Sequence, residues 1–426
     1  MKFNVHFFVM LLIASVISVA DILIYVFKLD YWLAIAISFA IATCIIFINR
    51  KKIKIKTDFE KYDIIMFIML VLTLLAKVFL ADEVWDTNNY HIYLQETPFI
   101  DKINFDFFPG RTINSFLFPL GDRMHYFFRL IFGYRFGTIL SWYAVIVAYY
   151  QTKSLIRTVS KSNSKYIPIY ANLCYLIHVI YGYICVYHID LLSMIFILEL
   201  VYIAFEKENF IKDKQTLYLS FLYSGIATGI KVSNIIIIFV LYFFILVKNI
   251  KNLKDIKIQD IPICIILFVL PFGTYAYDNF IQTGSILFPY YNNIFKSRYF
   301  ANISWHDINF GLPNILYALV WPILISIDPL LGYDYYVYDF SWLMGYVVTI
   351  SYIIYALIKH KNIKEDKVFQ LSILSLIISI VWAKFLMGYA RYACYIPILY
   401  IVIFASIGIK LEKVDIDKET NKKVYR

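Results

Sequence analysis

Residues 82–91 read DEVWDTNNYH and follow directly on the apolar run IIMFIMLVLTLLAKVFLA at 64–81. Three carboxylates (Asp82, Glu83 and Asp86) sit there with Tyr90 and His91. A carboxylate at the edge of a low-dielectric region has its pKa pushed up, and a nearby cation pulls it back. Such a group can take a proton from a hydroxyl as a general base. Paired carboxylates can also hold a divalent cation against a phosphate. If the helix continues past residue 81, Asp82 and Asp86 share a face, and so do Asp86 and Tyr90. The plain alternative is a solvated acidic cluster at a helix end.

The rest of the first polar segment and four further clusters carry chemistry. The segments NFDFFPGRTINSF (104–116) and GDRMHYFFRLIFGYR (121–135) hold Arg111, Arg123, Arg129 and Arg135. Arginine grips phosphate bidentately, although Arg129 and Arg135 can equally snorkel to an interface. YHID (187–190) ends on Asp190, which opens an apolar run and either caps its helix or adds a second acid to the same cavity. GIATGIKVSN (225–234) places Lys231 in a short turn between two apolar runs, where it must snorkel or meet an anion. In DNFIQTGSILFPYYNNIFKSRYF (278–300), Lys296 and Arg298 stand beside aromatics, a mixture that suits a sugar phosphate. GYARYACYIP (388–397) places Arg391 where two apolar runs meet, a costly position unless it is paired.

The elements that must position these groups are apolar helices. The chain has 426 residues, of which 61% are hydrophobic and 16% charged, and a mean hydropathy of +0.68. Soluble domains carry about 25% charged residues. Apolar runs near the ~20 residues of a membrane span recur from end to end. They are continuous and not alternating, which excludes an outer-membrane barrel. The expected fold is an all-α polytopic membrane protein with about twelve spans, at 5–26, 31–49, 64–81, 133–151, 166–185, 190–206, 216–230, 233–248, 260–277, 342–358, 367–386 and 393–409. A further apolar segment, 312–328, breaks the alternation if it crosses and is read as re-entrant or external.

The net charge of +10 sits in short linkers such as RKKIKIK (50–56) and TKSLIRTVSKSNSK (152–165). That is the bias which orients membrane proteins, and it argues against a nucleic-acid partner. Placing the basic linkers in the cytoplasm puts both termini inside and leaves segments 82–132 and 278–341 outside. Three regions follow: 1–63 with two spans and a basic loop, a membrane body at 64–409 that carries both outside segments, and a charged tail at 410–426. Cys44, Cys174, Cys185, Cys264 and Cys394 show no metal-ligand spacing and read as small buried hydrophobes. The first run follows only Met-Lys and lacks a small-residue cleavage site, so it reads as a retained span.

In this order the clusters resemble the GT-C superfamily of multi-spanning glycosyltransferases, in particular bacterial relatives of the protein mannosyltransferase and aminoarabinose transferase group. The likeness rests on Trp85-Asp86-Thr87-Asn88-Asn89-Tyr90-His91, on Asp190 at the start of a span, and on Gly225, Gly229 and Lys231. It continues in Asn279 with Thr283-Gly284, in Phe288-Pro289, and in Arg391-Tyr392 before the last span. Ser285-Ile286 stands where Asn-Pro is usual, and two spans precede the first loop where one is usual.

The resemblance implies a transferase in the bacterial cytoplasmic membrane. It would take a sugar from a polyisoprenyl-phosphate carrier and pass it to a glycan, lipid or protein acceptor on the non-cytoplasmic face. Asp86 would be the base, with Asp82 or Glu83 as substitutes. Lys231 and Arg391 would meet the leaving phosphate. Tyr90 and His91 would orient Asp86 or touch the acceptor, and Asn279 and Tyr392 would complete the substrate site. A divalent cation (Mg or Mn), if used, would fall to Asp82, Asp86 and Asp190. A lipid-linked polysaccharide polymerase and a non-enzymatic flippase or transporter are the rival readings. The second calls for charges inside the spans, as at Lys77, Glu199 and Lys384.

Overall fold

The computed structural model describes residues 2–100, 114–208, 210–305, 314–359 and 362–424. Among them strand is confined to Lys2–Asn4 and Lys54–Lys56, paired in parallel with Lys2 opposite Lys54. The rest of the regular structure is helical.

The first helix, Val5–Phe27, starts where the Asn4 side chain accepts from the His6 amide at 2.9 Å. Its buried positions include Phe7, Met10, Leu11, Ala14, Ile17, Ser18 and Asp21. That is one stripe at three- and four-residue spacing, and it faces the bundle. Asp21, at the end of the stripe, binds the Arg123 guanidinium at 2.9 Å and accepts from the Tyr275 hydroxyl. Three distant segments are joined there. The helix Asp190–Glu206 is buried along nearly its whole length, with Tyr202 and Glu206 the exceptions, and it is apolar on every side. A helix of that kind belongs at the centre of a bundle. It packs on Ile139–Ser160 and Lys214–Ile230. One hydrophobic core runs from Phe3 to Ile409.

Twelve spans are not shown. Among the described residues five helices are long and apolar enough to cross a membrane, or up to seven if each of two bent pairs forms one span. Asp63–Phe79, Asp190–Glu206 and Lys214–Ile230 have 17 residues each. At 1.5 Å per residue that is about 25 Å, the lower end of what a span needs. The segment 133–151 is not one span. A helix Leu120–Phe136, inside the stretch read as an external loop, turns by 106° into Ile139–Ser160. Gly133 takes φ +74° at this corner. A Cβ on Gly137 would sit 2.6 Å from the Arg129 backbone. The segment 166–185 breaks into Ile167–Asn172, a 3-10 turn at Leu173–Leu176 and His178–Tyr183. The segment 260–277 bends by 69° between Asp260–Val269 and Gly273–Thr283, with Pro271 in the gap. The helix Ile315–Ile327 covers most of 312–328 and is too short to cross.

The stretch 152–165 is likewise no simple linker, because helix continues through Ser160. Lys153 is buried and holds Asp63 at 2.8 Å and Glu60 at 2.8 Å, and Tyr149 donates to Asp63 at 2.6 Å. Arg157 pairs with Asp58 and Glu60 beside them. Lys248 and Lys367 cap the carbonyls of Ala204 and Phe205 at the same end of the central helix. Four of the five cysteines are buried as expected, while Cys44 lies on the exposed face of Tyr31–Asn49.

Breaking a buried ion pair leaves an uncompensated charge and costs about 3–5 kcal/mol. Lys153→Met is therefore expected to lower unfolding free energy by about that amount in mixed-micelle denaturant titrations. The double variant Lys153→Met/Asp63→Leu should recover most of the loss.

Candidate functional site

The site forms at the other end of the central helix, where Asp190 begins it. The helix Asp63–Phe79 does not continue into the acidic cluster, since Leu80 is extended. Asp82 and Asp86 therefore do not share a helix face. Asp82 is buried and accepts from Val84 N at 3.1 Å, Thr87 Oγ1 at 2.9 Å and Tyr187 N at 2.7 Å. It staples two chain segments together and has little left for a substrate. Glu83 is exposed.

Past Val84 the chain winds again, and Thr87–His91 forms a π-turn closed by Ile92 N to Thr87 O. Such a turn brings residues five apart onto one side, so it is His91 that joins Asp86. Single π-turns recur at functional sites. Nitrogens of His91 and His188 and a carboxylate oxygen of Asp86 lie within 4.8 Å of one another.

Two carboxylate–cation pairs face this group. Asp86 Oδ2 is 2.5 Å from Arg391 NH2. Asp190 Oδ1 pairs with Lys231, whose ammonium lies 3.4 Å over the Tyr392 ring. Arg391 also donates to His188 Nδ1 at 3.0 Å and packs over Tyr389 at 4.8 Å. Arginine has no lone pair, so His188 Nδ1 is the acceptor and the neutral ring carries its hydrogen on Nε2. The 3.6 Å approach of His188 Nδ1 to Asp190 is too long to compete. On the opposite wall His91 Nδ1 is 2.7 Å from Asp122 Oδ1, with both side chains nearly sealed from solvent.

Burial pushes the Asp86 carboxyl up, but Arg391, His188 and His91 outweigh it and hold the group below the usual carboxylate range. Burial lowers Lys231, and Asp190 opposes the shift. Burial, reinforced by the charges of Arg391 and His91, pulls His188 down to about 4 against its Asp190 contact. Burial raises the Tyr90 phenol well above its ordinary value, so it stays a hydrogen-bond donor.

Tyr90, His91, Asp122, Asp190, Lys231 and Arg391 line a small cavity of about 40 Å³. It adjoins a more apolar one of about 210 Å³, and the two share Val232, Ser233, Tyr290 and Tyr392. Three buried polar atoms here lack a partner: Arg391 Nε, His188 Nε2 and Asp122 Oδ2. Two of them are N–H donors without an acceptor, which is the imbalance an anion relieves.

The set does not fit a divalent cation. Arg391 already holds Asp86 and His188, Lys231 holds Asp190, and Asp82 is turned away. An ion among Asp86, His91 and His188 would sit against a fixed guanidinium.

Of the residues singled out in the sequence, Asp86, Tyr90, His91, Asp190, Lys231, Arg391 and Tyr392 come together. Asn279 is buried and donates to the Phe116 carbonyl at 2.8 Å, a structural tie. Lys296 and Arg298 are exposed and away from the cavity lining, with Arg298 on its neighbour Tyr299. Arg123 is held by Asp21, and Arg129 by Glu96 at 2.5 Å. Arg111 lies outside the described residues. Asp122 and His188 were not singled out. Both adjoin residues that were, in GDR and YHID, and a histidine or carboxylate bordering an apolar run is the signal that marks them.

These features define a helical membrane protein with a buried, charge-paired pocket at one end of its bundle. No family model matches the chain, and neither a curated protein nor a solved structure matches it.

The turn carrying Arg391 is fixed by Trp321 Nε1 donating to Gly388 O at 2.8 Å and Trp382 Nε1 to Tyr389 O at 2.9 Å. Gly388 has φ +63°, and a Cβ there would lie 2.0 Å from Trp321 Nε1. Gly388→Val is expected to cost at least the ~1–3 kcal/mol of left-handed strain, read as a lowered Tm.

His188 gives a pH signature. Its folded pKa is depressed, so the unfolded state binds the proton first as pH falls below about 6.5. Stability is lost from there down to about pH 4 and levels off below, by roughly 3 kcal/mol in all. Tm measured from pH 7 to 4 should fall in the wild type and fall less in His188→Gln.

Proposed function

We propose that the chain is an integral membrane glycosyltransferase. It moves a sugar from a polyisoprenyl-phosphate carrier to a glycan, lipid or protein acceptor at the non-cytoplasmic face of a bacterial cytoplasmic membrane. One observation carries this reading. Lys231 and Arg391, far apart in the chain, line one cavity that adjoins a more apolar one. Fixed cations stabilise the charge that develops on a leaving phosphate, and they need no rearrangement at the moment of reaction. The apolar cavity, with Leu287, Ile236 and Phe385 in its walls, suits the first units of an isoprenoid tail.

The unpartnered Arg391 Nε–H and His188 Nε2–H add acceptor-seeking donors beside the same spot. A guanidinium has five N–H donors, so Arg391 can meet phosphate without releasing Asp86. The ordered motifs shared with GT-C transferases point the same way. Lys153, Arg157, Lys248 and Lys367 gather at the far end of the bundle, and the bias of positive charge toward the cytoplasm then faces the cavity outward.

The test is transfer from a panel of synthetic decaprenyl-phosphate sugars by the full chain in proteoliposomes. Arg391→Ala and Lys231→Ala should each lower kcat about 10²–10³-fold, as loss of an electrostatic stabiliser does elsewhere. Activity should persist in EDTA. Loss in EDTA with recovery on Mg or Mn would return a divalent cation to the mechanism. Lipid-linked sugar crossing vesicles with no glycosidic bond made would assign the chain to transport.

A further inference from the structure

We propose that the imidazole of His91, through Nε2, takes the proton of the acceptor hydroxyl, and that Asp122 is its positioning residue. This rests on the transferase reading above.

The argument is one of elimination around a single wall. Asp86 is locked to Arg391 at 2.5 Å, and a proton placed on it would weaken that pair. Asp190 is committed to Lys231. His188 spends its Nδ1 lone pair on Arg391 and bears its hydrogen on the other nitrogen. Asp82 accepts three protein hydrogen bonds. His91 differs from all of these. Its Nδ1 is engaged with Asp122 at 2.7 Å, while the ring lines the cavity alongside Lys231 and Arg391. An ionised carboxylate only accepts, so Asp122 fixes the hydrogen on Nδ1 and leaves the Nε2 lone pair for the substrate.

This is the logic of an imidazole oriented by a buried carboxylate. The carboxylate selects the tautomer, stops the ring from turning, and stabilises the imidazolium once the proton arrives. Asp122 is fully enclosed and makes this one side-chain bond, with Oδ2 unpartnered. A buried carboxylate placed so poorly for stability is better explained by what it does to His91. The charged and titratable groups facing the ring are Asp86 and Tyr90 from its own turn, Asp122 and His125 from Leu120–Phe136, His188 and Asp190, and the cations Lys231 and Arg391.

The step balances. The acceptor oxygen forms a bond to the anomeric carbon as the carbon–oxygen bond to phosphate breaks. The bonding pair leaves with the polyprenyl phosphate, whose charge meets Lys231 and Arg391. The hydroxyl proton passes to His91 Nε2 and then to water.

The test needs no knowledge of the sugar for its first arm. Full-length protein with ¹⁵N-labelled histidine in lipid nanodiscs reports the tautomer of each ring, and His91→Gln assigns the signal. The wild type should show neutral His91 protonated on Nδ1 and bare on Nε2. Asp122→Asn, which can donate its amide hydrogen to Nδ1, should reverse that pattern while the other histidine signals stay in place. In the second arm, transfer from the decaprenyl-phosphate sugars should fall about 10²–10⁴-fold in kcat for both Asp122→Asn and His91→Gln, with donor KM little changed. A wild-type His91 protonated on Nε2 would overturn the proposal without any variant having to fold. So would wild-type kcat in either variant. No transfer by the wild type, together with the expected tautomer, would strike the transferase reading and leave the Asp122–His91 arrangement standing.

Discussion

The ion pair between Asp86 and Arg391 joins the polar segment that follows Asp63–Phe79 to the last turn before the final helix. Neither charge can be left alone in so enclosed a place, because an unpaired buried charge costs several kcal/mol. The pair therefore constrains everything that delivers its members. On one side the π-turn at Thr87–His91 sets the angle at which Asp86 leaves the backbone, and Asp82 pins that turn to Tyr187. On the other, the Trp321 and Trp382 indoles hold the carbonyls at Gly388 and Tyr389, so Arg391 enters from a fixed direction. The Lys231–Asp190 pair repeats the arrangement with the two central helices as its supports. The pocket is what remains when both pairs are satisfied.

Much of this was legible in the residues. The helical, membrane-embedded character follows from composition. Asp86, Asp190, Lys231 and Arg391 stood out because a charge bordering an apolar run must find a partner. The partners they found are one another, which a single sequence cannot show for residues 305 positions apart (391 less 86). The segment 82–91 also misled in a specific way. An α-helical period pairs Asp86 with Tyr90, whereas the π-turn pairs it with His91. Nothing in TNNYH announces one extra residue per turn.

The differences between the expected spans and the helices seen have a common physical source. Hydropathy reads apolar content but not the direction of the backbone. The corner at Gly133 to Thr138, the break at Pro271 and the interrupted helix at 166–185 all lie within apolar text. Asp21 and Arg123 show the converse. A charge inside an apolar run marked nothing functional there, because its partner came from a helix the sequence had assigned to a loop.

Why such a pocket should keep its cations paired before any ligand arrives follows from the same electrostatics. A bare guanidinium and ammonium close together would repel and would draw in water, and the bundle would be destabilised where it must be rigid. Giving each cation one carboxylate offsets its charge, and the Arg391 Nε and His188 Nε2 donors are left without an acceptor. An entering anion then binds to hydrogen-bond donors already oriented, at a site whose framework need not move. The carboxylates that balance the cations are, for that reason, poor proton acceptors. A pocket built this way has to place its base elsewhere on the wall, and an imidazole tied to a separate buried carboxylate is the group that meets the requirement.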